Sequence, residues 1–144
     1  MRLVITLFTL SIMAAFQAGC SKGGNLTLSG TKASGDLAPL ILQCATNRGG
    51  RLPTITPPSI QAEWTHQSRP MQDIILVPGD RFSEVLAFLR QAYGEPDPKL
   101  GSSALRPVGS GQSVTYSPQQ TGVVLNLTGD SKQTIVSLMG MQKQ

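Results

Sequence analysis

The chain has 144 residues, a formal net charge of +4, 14% charged and 5% aromatic side chains, and two cysteines. Its length suits one ordinary domain, and its charged fraction lies well below the roughly 25% usual in soluble proteins, while the 40% apolar share is not depleted. A highly charged disordered chain, a disulfide scaffold and a four-thiolate zinc site are excluded, and the single histidine leaves few routes to a nitrogen-rich metal site.

The first twenty residues read MRLVITLFTLSIMAAFQAGC. Arg2 gives a positive start, and Leu3 to Phe16 is an apolar run broken only by Thr6, Thr9 and Ser11. That run is shorter than the roughly 20 apolar residues a membrane-spanning helix needs, so residues 1–19 are expected to be a signal peptide. The segment Gln17-Ala18-Gly19-Cys20 resembles the lipobox of bacterial lipoproteins, departing from it at Gln17, where leucine is usual. The resemblance implies cleavage before Cys20, a thiol carrying diacylglycerol, incorporation of palmitate, and, with Ser21 rather than aspartate following, transfer to the outer membrane facing the periplasm. Ala18-Gly19-Cys20 also fits ordinary secretory cleavage, which would release a soluble protein beginning at Ser21. Two or three acyl chains on one cysteine anchor stably where a single chain does not. Residues 20–35 then read as the lipidated cysteine and a flexible polar tether reaching roughly 20 Å, and residues 36–144 as a single small domain.

Asp36 precedes apolar positions Leu37, Leu40, Ile41 and Cys44, the spacing of one helical face. Pro39 lies in the first turn, and Asn47-Arg48-Gly49-Gly50 ends the pattern, which predicts a helix over about 37–47. Pro53, Pro57 and Pro58 make an extended connector. Ile60, Ala62 and Trp64 alternate with polar residues as in a half-buried strand, and Asp73 to Val77 reads as a strand covered on both faces. The two are joined by a turn at residues 67–70. Asp80 is placed to cap a second helix whose apolar face is Phe82, Val85, Leu86, Leu89, Ala92 and Tyr93, with Gly94 closing it. Residues 94–112 form a long loop, either a binding loop or a plain connector. Three short strands follow, at 114–116, 123–128 and 134–139, with a turn at 118–122. The order predicts an α+β fold in which two short helices pack on a mainly antiparallel sheet of about four or five strands.

No catalytic constellation emerges from the spacing. His66 is the only side chain whose unperturbed pKa suits proton transfer near neutrality, but it is expected on a turn, in solvent. Ser29-Gly30-Thr31-Lys32 matches the Ser-x-x-Lys of penicillin-recognising enzymes without either companion motif. Glu95 and Asp97 could share a cation, although two acids fall short of the six to eight oxygens calcium takes. Cys44, with Cys20 acylated, is expected to be buried as a small hydrophobe, the other reading being a disulfide between chains. Arg48 and Arg51 could meet anionic lipid or simply solubilise the surface. The remaining bases are scattered, so nucleic acid is not an expected partner. The sequons at Asn25 and Asn126 carry no weight in a bacterial context. No cofactor, metal ligand or catalytic residue is assigned; Cys20 is the one site residue.

The helix running into Tyr93-Gly94-Glu95-Pro96, followed by a loop and three antiparallel strands, is similar over about residues 80–139 to small outer-membrane lipoproteins that assist β-barrel assembly. That resemblance implies a scaffold role. The expectation is therefore a non-catalytic envelope lipoprotein, held to the membrane by its lipid anchor and binding another envelope protein. The alternative is an inhibitor or immunity-type lipoprotein that intercepts an enzyme or toxin.

Overall fold

A computed structural model describes residues 29–96, 106–108 and 111–140. In chain order the elements are β1 (Thr31–Asp36), α1 (Leu37–Asn47), β2 (Gln61–Ser68), β3 (Gln72–Pro78), α2 (Phe82–Tyr93), β4 (Arg106–Val108), β5 (Gly111–Tyr116), α3 (Pro118–Thr121), β6 (Val124–Gly129) and β7 (Gln133–Met139). The strands form one sheet in the order β1-β2-β3-β7-β6-β5-β4, with every neighbouring pair antiparallel. The α+β class and the antiparallel sheet are as the sequence predicts. The strand number is not: six strands of six to eight residues and the three-residue β4 replace the expected four or five.

One added strand is β1, which takes Thr31–Gly35 out of the expected tether. These residues lack apolar alternation, and they are ordered by backbone pairing with β2 from Thr31↔His66 to Asp36↔Gln61 rather than by burial. Gly30 permits the approach, because a Cβ there would lie 2.2 Å from the His66 carbonyl oxygen.

The helix α1 spans the predicted residues, and Asp36 caps it by accepting from the Ala38 N–H at 3.2 Å. The same carboxylate oxygen accepts from the Ile60 N–H at 2.9 Å, which fastens the end of the Pro-rich connector to the helix start. In α2, the expected cap at Asp80 is absent. The helix begins one residue later, after Arg81, and the Thr134 hydroxyl accepts from the Arg81 N–H at 2.8 Å while donating to the Gly79 carbonyl at 3.1 Å. A buried hydroxyl on the neighbouring strand β7 thus does what a local carboxylate was expected to do.

Both helices lie on one face of the sheet, α1 over β1, β2 and β7 and α2 over β6. Strand side chains such as Ile75, Val77, Leu125, Leu127, Val136 and Leu138 meet them there and are essentially inaccessible. The expected α2 face is extended by Phe88, which is also fully buried. Burial of each large side chain in this layer contributes about 1.5–3 kcal/mol before conformational entropy. Strand β3 is not covered on both faces as expected. Asp73, Ile75 and Val77 point into the core, whereas Ile74 and Leu76 are half-buried on the opposite side.

Candidate functional site

The period-2 pattern of β3 places Asp73 on the same face as Ile75 and Val77, inside the apolar layer. A carboxylate there must find partners, because an unpaired buried charge is costly. It finds them from β2 and from the residue that follows α1. Arg48, just past the end of α1, donates from Nε to Asp73 Oδ2 at 2.5 Å, with the two side chains 0% and 5% exposed. His66 of β2 lies diagonally across the β2–β3 ladder, and its Nε2 is 2.8 Å from Asp73 Oδ1. Cys44, one helical turn before Arg48, places its Sγ 3.6 Å from the same His66 Nε2.

Every nitrogen of the guanidinium has a partner. Arg48 Nη1 donates to the carbonyls of Pro70 and Gly140 at 3.2 and 2.8 Å, and Nη2 to that of Arg69 at 2.6 Å. One side chain therefore joins the end of α1, the β2–β3 turn, β3 and the end of β7. The expected surface role for Arg48 is corrected by this burial. Arg51 instead uses its backbone, donating to the Thr121 carbonyl and accepting from the Tyr93 hydroxyl.

The charges of the cluster follow from these contacts. Burial pushes the Asp73 carboxyl up, but hydrogen bonds from Arg48, His66 and Ser68 outweigh it and hold the group below its ordinary value. Asp73 is thus an ionised acceptor, which puts a proton on His66 Nε2. Burial, assisted by the neighbouring Asp73 charge, raises the Cys44 thiol to about 12. The arrangement is not that of a nucleophilic triad. A triad needs the nucleophile and the acid on different ring nitrogens, whereas Cys44 and Asp73 share Nε2, and the thiol is held protonated.

His66 is therefore not the solvated turn residue the sequence suggests; it lies within β2, facing α1, with its side chain 24% exposed. Cys44 is buried, as expected. Ser29 and Lys32 sit before and within a strand, exposed and not on any helix, so the Ser-x-x-Lys match carries no chemistry. Glu95 pairs with Arg90 at 3.1 Å; Asp97 lies outside the described residues. So do the signal peptide, Cys20, the Asn25 sequon and most of the 94–112 loop, of which β4 and the start of β5 are strand. Among the described residues, no helix is long and apolar enough to cross a membrane.

A second feature is the sheet face away from the helices. Two cross-strand rows run over it, Gln67-Ile74-Ser137-Asn126-Thr115 and Thr65-Leu76-Ile135-Thr128-Ser113. All ten side chains are half-buried and none is charged. Thr115 donates to Asn126 Oδ1 at 2.6 Å within the first row. Spacing within single strands shows the alternation, but not that these rows align.

Comparison with protein-family models, curated proteins and solved structures finds no match for this chain, so no family, and no enzyme family, is indicated.

Proposed function

We propose that the protein is a lipid-anchored lipoprotein of the bacterial envelope, attached through Cys20 at the periplasmic side of the outer membrane, with a non-catalytic role in binding another envelope protein. The observation that supports a binding role is the pair of uncharged rows across β2, β3, β7, β6 and β5, bordered by Glu63 and Lys32 at the β1 side, which carry apolar Ile74, Leu76 and Ile135 among hydroxyl and amide side chains. Depletion of charged side chains is one feature of an interface centre. The anchor reading rests on Ala18-Gly19-Cys20 behind the apolar run.

A photo-crosslinking residue placed at Thr128 or Ser113 should trap a partner in intact cells, whereas one at the exposed helix positions Glu84 or Gln91 should not. Equal trapping from both sides, or none from the sheet, refutes the assignment of the binding face. An envelope assembly component in the adduct supports the scaffold role; a lytic enzyme or toxin supports the inhibitor reading instead. Separately, Cys20→Ser should leave the precursor uncut and unlabelled by radioactive palmitate, and normal processing to Ser21 would refute the anchor.

A further inference from the structure

Three side chains of different chemistry converge between α1, β2 and β3: Cys44 Sγ, His66 Nε2 and an oxygen of Asp73 all lie within 4.8 Å of one another. Tetrahedral Zn²⁺ binds sulfur at about 2.3 Å, imidazole nitrogen at about 2.0–2.1 Å and carboxylate oxygen at about 2.0–2.2 Å, so bound sulfur and nitrogen stand about 3.5 Å apart, and nitrogen and oxygen about 3.4 Å. The Cys44–His66 separation of 3.6 Å already has that value. The His66–Asp73 separation of 2.8 Å is a hydrogen-bond length, and it must open by about half an ångström when a cation replaces the proton.

The surroundings suit this exchange. Arg48 engages Asp73 through Oδ2, leaving Oδ1 directed at His66, and both its Nη atoms donate to backbone carbonyls. It therefore orients the carboxylate without occupying the ligand oxygen, as outer-sphere groups do around metals. A thiolate, a carboxylate and a guanidinium sum to one negative charge, so a divalent cation leaves one net positive charge in the cluster. One sulfur, one nitrogen and one oxygen donor favour a borderline-soft ion over calcium or magnesium. Cys44 and Asp73 are sealed in the core, whereas the imidazole is 24% exposed, so the cluster meets solvent through His66.

The geometry points to a three-ligand Zn²⁺ site formed by Cys44, His66 and Asp73, with Arg48 as the positioning residue and water as the fourth ligand. On binding, the thiol proton leaves to solvent and the imidazole proton moves from Nε2 to Nδ1, so each zinc bound near neutrality releases one proton.

The test uses the full chain carrying Cys20→Ser, purified in detergent, which leaves Cys44 as its only thiol. Equilibrium dialysis against Zn²⁺ alone should load one ion per chain. Co²⁺ alone should give a thiolate-to-cobalt charge-transfer band in the near ultraviolet with intense tetrahedral visible bands. Cys44→Ala should abolish that band, and His66→Gln should weaken zinc binding more than about tenfold. Zinc should raise the Tm of the parent and not of Cys44→Ala. A folded parent that retains no stoichiometric zinc overturns the site, whatever the variants do. So does a cobalt spectrum without the sulfur band, or unchanged affinity in Cys44→Ala; the cluster is then a hydrogen-bonded core feature only.

Discussion

Arg48 and Asp73 form an ion pair whose side chains are 0% and 5% exposed, and such a pair is judged by what remains when one member goes. Arg48→Ala leaves a buried carboxylate with only His66 and Ser68 as partners and four backbone elements no longer joined, and should cost about 3–5 kcal/mol in a urea titration. A double variant, Arg48→Met with Asp73→Leu, removes both charges at similar volume and should cost less than the two single changes added. A double cost equal to their sum would mean the two residues act independently. The pH dependence has a fixed sign. Asp73 has its carboxyl lowered in the fold from the ordinary value of 3.8, so the unfolded chain binds the proton more readily. Its contribution is present above that value and is lost as pH falls through the lowered one. Acid titrations followed by circular dichroism should show Asp73→Asn losing this component of the acid limb, while a parallel shift of the whole curve would deny it. The sequence pattern contains one clue to this cluster: an acid in phase with Ile75 and Val77. Reading residues 73–77 as an unbroken apolar run hides that phase. Arg48 and His66 give no local signal, because their partners are 25 and 7 residues away and are set by packing of α1 on the sheet.

At the level of elements, periodicity locates both main helices and the long strands, since the core face of each repeats within a few residues. It does not locate what holds their ends. Asp80 has the side chain of a cap and is exposed, whereas Thr134 is buried and bridges Arg81 and Gly79. Thr134→Val removes that hydroxyl at nearly constant volume, leaving two part-buried backbone groups without it, and should cost about 1–3 kcal/mol. Asp80→Ala should stay within about 0.5 kcal/mol. The reverse ranking of urea midpoints would restore the local cap. The turn predicted at 118–122 is a one-turn helix, α3, held by a capping box between Ser117 and Gln120 and ended by Gly122 at φ 83°. Gly122 is also where this turn meets the end of α1, for a Cβ would lie 2.8 Å from the Gly49 carbonyl oxygen. Positive φ and close approach together make glycine necessary there.

At the scale of the whole molecule, the sheet has two outer strands, β4 and β1, and β1 is the one nearest the proposed anchor in the chain. Ten residues, 21–30, separate Cys20 from Thr31, so a lipid on Cys20 would hold β1 within about 40 Å of the membrane even at full extension. The strand also brings Thr31–Gly35 into the sheet, a placement invisible to hydrophobic patterning because β1 is exposed along most of its length. Its value to the fold lies in the six ladder pairs with β2 and in Asp36, which fastens both α1 and Ile60. A chain beginning at residue 29 should therefore match the full protein in urea midpoint to within about 0.5 kcal/mol. A chain beginning at residue 37 loses the ladder, the cap and the Ile60 bond together. Loss of the cap alone costs about 1 kcal/mol, and the ladder and connector add to it, so the total should exceed about 2 kcal/mol. Exposure of β2 as a new edge should also make the shorter chain associate, readable as a concentration-dependent sedimentation coefficient. Equal stability of the two truncations, with both monomeric, would return β1 to the tether.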